Sequence, residues 1–312
     1  MIMAYHSAMI DPERIVAARR RIAPFVHPSP LLAIGDRRYL KLESLNPTGS
    51  FKIRGFFAEA LAADRSALHR GILTVSAGNA AQAAAFVAHR LGVPCRTFMF
   101  DTAPPTKIEG VRRWGGVPVF LPRQALLDWL AAEGWRNEPE MFIHPFAGDE
   151  LIAGHASIGE EIVESVPDLG RAIVPVGGGG LISGIGSALK AHRSGIEIIG
   201  VQSDGYALWP RTFATGTPPT PVPHTIADGT TGPWSARMHA HLAAIVDRWI
   251  TVPETAVRAA VRDLALGHRL IAEGAGALPF AALGFLPPDD RATVAILSGG
   301  NIDTTLLRDL LA

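Results

Sequence analysis

The chain is poor in cysteine and has no net charge. Cys95 is its single cysteine among 312 residues, which excludes an internal disulfide and a zinc site built from several cysteines. This scarcity agrees with a reducing compartment. The 29 basic residues balance the 29 acidic ones, so nothing draws the surface to nucleic acid or to anionic lipid. We therefore expect neither as a partner.

Long apolar runs and targeting signals are also missing. Arg, Asp and His interrupt each apolar stretch before it reaches the length that spans a bilayer. Residues 1–21 have no basic segment followed by an apolar one, so we expect no secretory leader. Since the chain stops at Ala312, we also expect no appended regulatory domain. These absences predict a cytoplasmic protein that does not associate with membranes.

Lysine is scarce as well, and one lysine has unusual surroundings. The four lysines are Lys41, Lys52, Lys107 and Lys190. The first is predicted in a strand and the last two on helix surfaces. Lys52 lies in residues 47–55, where Pro, Gly and Ser let the backbone turn sharply and direct an amine into a cleft. Such an amine can form a Schiff base with an aldehyde cofactor if its pKa is lowered; the alternative is an exposed loop lysine.

Strand-like and helix-like segments alternate along the chain. Asp11 and Pro12 predict the start of a first helix, with an apolar stripe of Ile15, Val16 and Ile22. The predicted strands are residues 39–43, 72–75, 96–100, 117–121, 172–176, 196–201, 245–252 and 292–297. The predicted helices are residues 80–91, 105–114, 123–133, 150–166, 181–193, 253–271 and 303–311. This alternation predicts an α/β protein with a parallel sheet covered by helices on both faces.

The order of segments also predicts two units. Residues 53–144 would form a small βα unit, inserted between residues 1–52 and 145–312 of a larger unit. A length of 312 residues agrees with two units of this kind. A ligand is expected in the cleft between them.

Four consecutive glycines, residues 177–180, follow an apolar strand and open a helix. Glycines let backbone N–H groups converge on an anion, and the helix N-terminus adds the positive end of its dipole. We predict a phosphate site, because a simple turn needs only one or two glycines. A dinucleotide is a weaker interpretation, since Gly178, Gly180 and Gly184 lack the G-x-G-x-x-G spacing and Gln202 is neutral.

Two further loops join a predicted strand to a helix. In residues 76–82, Asn79 either caps the helix or offers its amide to a ligand oxygen. In residues 298–301, Ser298 places a hydroxyl at the carboxyl end of a strand. Each loop alone is a capping motif. Together with Lys52 and the glycine run, they predict a ligand site at the carboxyl edge of a sheet.

These motifs resemble those of the fold-type II pyridoxal phosphate enzymes, in particular the serine/threonine dehydratase group that includes serine racemase. The similar runs are residues 43–55, 76–82, 101–116, 174–180, 225–229, 273–277 and 297–303. The resemblance implies the tryptophan synthase β-like fold, with two open, twisted, mostly parallel sheets flanked by helices. It also implies pyridoxal 5′-phosphate in a cleft between the units, with residues 1–52 and 145–312 binding it. A homodimer acting on a small amino acid is implied as well.

The resemblance also assigns roles to residues. Lys52 would be catalytic and would hold the cofactor as a Schiff base. The other implied cofactor contacts are Phe51, Asn79, Gly177, Gly178, Gly179, Gly180, Leu181 and Ser298. The substrate carboxylate would lie against Ser76, Ala77, Gly78, Asn79 and Ala80. A wall of the site would be formed by Asp228, Gly229 and Glu273.

The implied reaction is β-elimination from a 3-hydroxy amino acid, which releases a 2-oxo acid and ammonia. The hydroxyl of Ser298, unlike a carboxylate, would not hold the ring nitrogen protonated, and this favours elimination over transamination. A β-replacement synthase or an amino acid racemase are alternatives on the same scaffold. A non-catalytic protein and a dinucleotide-binding protein are remote alternatives.

Some residues depart from the pattern of the group. Ala77 and Ala80 stand where a serine and a histidine are usual, and alanine has no transferable proton. We therefore expect feeble racemisation and room for a bulkier β-substituent. Gln202 and Leu208 stand where some relatives have carboxylates, and Asp204 alone is a poor site for a hard cation. No metal is expected.

Overall fold

The computed structural model describes residues 9–103, 105–287 and 289–312. Its strands are β1 (Leu31–Gly35), β2 (Arg38–Leu42), β3 (Ile72–Val75), β4 (Cys95–Phe100), β5 (Val117–Leu121), β6 (Met141–Phe142), β7 (Leu169–Pro175), β8 (Glu197–Ser203), β9 (Arg248–Val252) and β10 (Ala292–Leu297). Its helices are α1 (Pro12–Ile22), α2 (Lys52–Ala62), α3 (Arg65–His69), α4 (Asn79–Leu91), α5 (Pro105–Arg112), α6 (Arg123–Ala131), α7 (Asp149–Ser165), α8 (Gly180–His192), α9 (Leu208–Thr215), α10 (Ala236–Ile245), α11 (Glu254–His268), α12 (Gly274–Ala282) and α13 (Thr304–Leu311).

The strands form two sheets. The larger has the order β1-β2-β10-β7-β8-β9 and the smaller the order β5-β4-β3-β6. Only β1 with β2 is an antiparallel pair among the described strands; the other pairs are parallel. The predicted fold class, two mostly parallel sheets flanked by helices, is confirmed. The division at residues 52/53 and 144/145 stays a prediction.

Helix α2 packs against α7, which precedes β7 of the larger sheet, and against α4, which follows β3 of the smaller sheet. Two glycines allow a close approach to α7. A Cβ on Gly154 would lie 2.5 Å from the backbone oxygen of Arg54, and a Cβ on Gly55 would lie 2.8 Å from Cγ of Leu151. This tight contact fixes the position of Lys52, the first residue of α2.

Several sequence predictions are corrected. Asp11 does cap α1, but Val16 is 61% exposed and Ala18 takes its place in the buried stripe. The predicted strand 245–252 begins too early, since Ile245 ends α10 and β9 starts at Arg248. The elements that the pattern missed are β1, β6, α2, α3, α9, α10 and α12. No helix in the described part of the chain is long and apolar enough to cross a membrane.

Candidate active site

A cavity of about 380 Å³ opens where the loops after β3, β7 and β10 meet the start of α2. Every residue predicted for the site lines this cavity. They are Phe51, Lys52, Ser76, Ala77, Gly78, Asn79, Ala80, Gly177, Gly178, Gly179, Gly180, Leu181, Asp228, Gly229, Glu273 and Ser298. The structure thus brings together residues separated by more than 200 positions, and their individual roles stay predictions.

Lys52 is partly buried in the cavity wall. Its Nζ donates a hydrogen bond to the backbone oxygen of Pro145 at 2.6 Å and lies 5.0 Å from the centre of the Phe51 ring. Among the described residues, no carboxylate forms an ion pair with it. Desolvation lowers the pKa of Lys52 to about 8, against an opposing effect of the Glu273 charge. Such an amine is partly neutral at physiological pH, as a nucleophile or a general base requires.

The turn before Lys52 is bonded to the loop after β10. The backbone N–H of Phe51 donates to the oxygen of Ser298 at 3.1 Å, and that of Gly300 donates to Gly49 at 2.9 Å. Gly49 has a φ of +70°, and a Cβ there would lie 2.4 Å from the side-chain oxygen of Asn301. Both the positive φ and the close approach require glycine. These contacts bring the amine and Ser298 to one cavity.

The glycine run forms a cradle of bare backbone. A Cβ on Gly178 would lie 2.3 Å from the Phe146 ring, and one on Gly180 would lie 2.3 Å from the Phe146 oxygen. Gly179 has a φ of +94° and precedes α8. No described residue accepts a hydrogen bond from the backbone N–H groups of residues 177–181. Free amides at the start of a helix fit the phosphate of pyridoxal phosphate.

Asn79 does not cap a helix, so that interpretation is wrong. Gly78 holds the cap position of α4. The Asn79 side chain instead donates to Oε1 of Glu273 at 2.7 Å and accepts from Nδ2 of Asn301 at 2.8 Å. Asn301 also donates to the backbone oxygen of Thr48 at 2.7 Å. Because Glu273 uses one N–H of the Asn79 amide, the second remains for a ligand oxygen.

Glu273 is buried, with 7% of its surface exposed. Burial, together with the charge of Asp228, raises the pKa of Glu273 to about 7, although the hydrogen bond from Asn79 opposes this. Its carboxyl group is therefore near half-protonation at neutral pH. The wall of the cavity thus contains a group that exchanges a proton in the same pH range as Lys52.

The loop after β3 presents backbone donors to the cavity. The Ser76 hydroxyl accepts a hydrogen bond from the N–H of Gly78 at 3.0 Å and so shapes the turn. The structure gives no acceptor among the described residues for the backbone N–H groups of Asn79 and Ala80. Two free amides at the N-terminus of α4 can bind a carboxylate.

Sequence reasoning missed other residues that line the cavity, among them Gln82, Lys107, Phe146, Thr231 and Asn301. Lys107 does lie in a helix, as predicted, but its Nζ forms an ion pair with Asp228 at the cavity rather than pointing to a general surface. Lys107 could have been considered for the site because the chain has only four lysines. For Phe146 we find no local signal.

Metal ligands are not grouped near the cavity. Across residues 9–103, 105–287 and 289–312, no three His, Cys, Asp or Glu side chains cluster as a possible metal site. The expected absence of a divalent cation stays a prediction, since it rests on the neutral side chains of Gln202 and Leu208.

Comparisons with known proteins agree with the cavity. Residues 21–299 match a family described as pyridoxal-phosphate dependent enzyme. The L-threonine ammonia-lyase of Geobacter sulfurreducens is 37% identical over 279 residues, which cover 86% of this chain and 68% of that protein. Maize serine racemase superposes with a TM-score of 0.90 at 29% identity, covering 97% of both chains. The threonine deaminase of T.th. superposes with a TM-score of 0.86 at 33% identity, covering 94% of this chain and 99% of that chain.

The resemblance predicted from the sequence motifs is therefore confirmed. The structural superpositions and the family match over most of the chain agree with a cavity that contains both the Lys52 amine and the glycine cradle. The chain belongs to the pyridoxal-phosphate dependent enzyme family, and pyridoxal phosphate is its cofactor.

Proposed function

We propose that this protein is an ammonia-lyase that converts a 3-hydroxy amino acid of the serine or threonine type into a 2-oxo acid and ammonia. The observation that carries the proposal is the Lys52 amine, whose pKa is lowered to about 8, in one cavity with a phosphate cradle. The similarity to an L-threonine ammonia-lyase supports the same reaction class.

The cavity residues supply groups for each part of the cofactor. The Lys52 amine would bind the aldehyde carbon, and the amides of Gly177, Gly178, Gly179, Gly180 and Leu181 would bind the phosphate. Asn79 would donate its remaining N–H to the ring oxygen, Ser298 would face the ring nitrogen, and Phe51 would pack on the ring. When bound, pyridoxal phosphate supplies an electron sink that makes the Cα proton of an amino acid acidic.

The chain's own groups then bind the substrate and move the proton. The free amides of Asn79 and Ala80 would hold the substrate carboxylate. Lys52 would take the proton from Cα, because an amine with a pKa of about 8 is partly neutral at pH 7 to 8 and can act as a general base. The Pro145 oxygen, 2.6 Å from Nζ, fixes the direction of that amine.

Racemisation requires a second acid on the face of the cofactor opposite the lysine. Ala77 and Ala80 line the cavity, and their methyl groups cannot donate a proton. This supports elimination over racemisation. A β-replacement reaction would use every residue named so far. Only an assay of the products therefore distinguishes it from elimination.

The decisive assay measures 2-oxo acid release from L-serine, L-threonine and bulkier 3-hydroxy amino acids, with and without an added thiol. We expect 2-oxo acid and ammonia in equal amounts, unchanged by the thiol, and little D-serine by chiral chromatography. A thioether product at the expense of 2-oxo acid would identify a β-replacement synthase. Rapid D-serine formation without ammonia would identify a racemase.

Cofactor attachment has its own test. Borohydride reduction of the holoenzyme, followed by peptide mass spectrometry, is expected to place the pyridoxyl group on Lys52. Lys190→Ala is the control for loss of a lysine elsewhere, because Lys190 is bonded to Asp247 and does not line the cavity. An adduct on another residue would overturn the assignment of Lys52.

We also propose that the enzyme is a homodimer in the cytoplasm. The resemblance supports the dimer, and burial of Cys95, which raises the pKa of its thiol to about 12, agrees with a thiol that stays reduced. Light scattering is expected to give twice the chain mass of 33.2 kDa; a mass of one chain would contradict the dimer.

A further inference from the structure

We propose that Gln202 and Trp209 orient the glycine cradle and thereby set the affinity for the cofactor phosphate. The two residues together, called here the cradle brace, do not line the cavity; they lie behind it. Both are fully buried. The inference rests on the proposed use of residues 177–181 for phosphate, and it adds two positioning residues to that site.

Trp209 fixes one peptide group of the cradle. Its indole N–H donates to the backbone oxygen of Gly177 at 2.7 Å. In a planar trans peptide the carbonyl oxygen and the following N–H point in opposite directions. With the Gly177 oxygen held by Trp209, the N–H of Gly178 is directed to the other side of the peptide plane. Glycine alone would not fix this orientation, because its backbone is permissive.

The N–H of Gly178 has no acceptor among the described residues. Gly232 packs on the face of the Gly177–Gly178 peptide, where a Cβ would lie 2.5 Å from the nitrogen of Gly178 and 2.9 Å from the carbonyl carbon of Gly177, so only glycine allows this approach. Gly232 and Gly178 both line the cavity. The carbonyl side of the peptide is therefore bonded, and the amide side is open to a ligand.

Gln202 connects Trp209 to both sides of the cradle. Its Oε1 accepts from the backbone N–H of Trp209 at 2.8 Å. Its Nε2 donates to the oxygen of Val176 at 2.8 Å and to that of Thr230 at 3.2 Å. Val176 directly precedes the glycine run, and Thr230 lies in the facing wall of the cavity. The amide thus joins the start of the cradle, its opposite wall and the helix that carries Trp209.

Packing alone does not explain the brace. An apolar side chain would fill the same space without buried polar atoms, whereas here each polar atom of both side chains bonds to backbone. A buried amide or indole N–H is costly unless it is hydrogen-bonded. These bonds select the orientation of the backbone groups that they contact, which are the Gly177 oxygen of the cradle, the Val176 oxygen directly before it and the Thr230 oxygen of the facing wall.

The test compares Trp209→Phe with Trp249→Phe. Phenylalanine keeps most of the ring volume at residue 209 but cannot donate to Gly177. Trp249 lies in β9, stacks on Phe213 and does not line the cavity, so its variant loses an indole without touching the cradle. Each protein is freed of its cofactor and then loaded with pyridoxal phosphate or with pyridoxal. The bound fraction is measured from the visible absorbance during serial dilution.

We expect Trp209→Phe to weaken pyridoxal phosphate binding by about 10-fold to 100-fold, the range for one buried hydrogen bond, and to leave pyridoxal binding unchanged. Trp249→Phe should match the parent with both. The ³¹P NMR signal of bound phosphate should shift only in Trp209→Phe. Equal weakening with both ligands, or no weakening with either, would overturn the brace.

A second variant covers the case in which Trp209→Phe does not fold. Gln202→Met removes the bonds to Val176 and Thr230 and is expected to give the same selective loss for the phosphorylated ligand; an unselective result there also overturns the proposal. The binding assay needs no substrate. If the parent releases no 2-oxo acid but the selective loss is found, the proposed reaction fails and the brace stands.

Discussion

Lys41 and Lys52 are two lysines in the same fold with opposite surroundings. Lys41 is 2% exposed, and its Nζ contacts Glu161 at 2.6 Å and the backbone oxygen of Ser29 at 2.6 Å. Lys52 contacts the oxygen of Pro145, and its pKa is lowered to about 8 by desolvation. The difference teaches that a carboxylate partner ties a buried lysine into the structure, while a lysine without one keeps an amine of lowered pKa, as the proposed reaction requires.

The surroundings of Lys41 form a larger charge cluster, consisting of Lys41, Glu43, Arg54 and Glu161. Arg54 bonds Glu43 at 2.8 and 2.9 Å and Glu161 at 2.6 and 3.0 Å. Arg54 lies in α2 only two residues after Lys52. The two cations and two anions balance each other, so α2 is anchored without a net charge beside Lys52.

The largest expected effect tests the two lysines against each other. Lys52→Met should lower kcat/KM by about 10⁴-fold or more, because nucleophile and base are lost together, while the free energy of unfolding changes by about 1 kcal/mol or less. Lys41→Met should retain the activity of the folded fraction but lower the unfolding free energy, since Glu161 loses one of its partners. Steady-state kinetics and urea unfolding check both. Similar activity losses in the two variants would remove the contrast.

The next effect tests the charge cluster. Arg54→Met leaves the carboxylates of Glu43 and Glu161 buried with one cation between them, and the free energy of unfolding should fall by about 3–5 kcal/mol. Arg19→Met is the control, because Arg19 pairs with the half-exposed Glu164 and should cost less than about 1 kcal/mol. Urea unfolding of both variants measures the difference. A loss for Arg54→Met no larger than the control's would show that the cluster is not an anchor.

The smallest effect concerns pH and extends the comparison to Glu273, a buried acid without a cation bonded to it in the described structure. The pKa of Glu273 is raised from its ordinary value of 4.5 to about 7 in the folded state. Between these two pH values the folded state keeps a proton that the unfolded state has already released. Stability therefore falls as pH rises from about 4.5 to about 7, by about 1–3 kcal/mol.

Glu273→Gln should remove this part of the pH dependence in the cofactor-free protein. Glu109→Gln is the control, because Glu109 is exposed and its loss should leave the profile unchanged. Urea unfolding at several pH values between about 5 and 8 measures both variants. A profile of Glu273→Gln that parallels the parent's would show that Glu273 ionises normally.

The sequence predicted those parts of the site that have local signals. Lys52 follows a turn marked by Pro, Gly and Ser, and the glycine run and Asn79 follow the carboxyl ends of β7 and β3. The prediction that one sheet carries all of them is wrong, because β7 belongs to the larger sheet and β3 to the smaller one. Lys107 and Phe146 reach the cavity only through packing of distant segments, which no local pattern records. Helix α2 was missed because its start follows the turn signals of residues 47–50, and β6 because two residues give no periodicity.

The hydrogen bonds of buried polar residues could not be predicted from the sequence either. From the sequence alone, Gln202 is only a neutral residue that disfavours a ribose partner and a cation. Its three bonds to the backbone of Val176, Trp209 and Thr230 depend on the positions of three separate segments. The sequence identifies the residue type but not the groups that it will meet.

The position of Asn79 has a mechanical consequence. It begins the helix that follows a strand of the smaller sheet, whereas Glu273 and Asn301 belong to segments attached to the larger sheet. Both side-chain bonds of Asn79 therefore bridge the two halves of the molecule. Any widening of the gap between the two sheets would stretch both bonds at once.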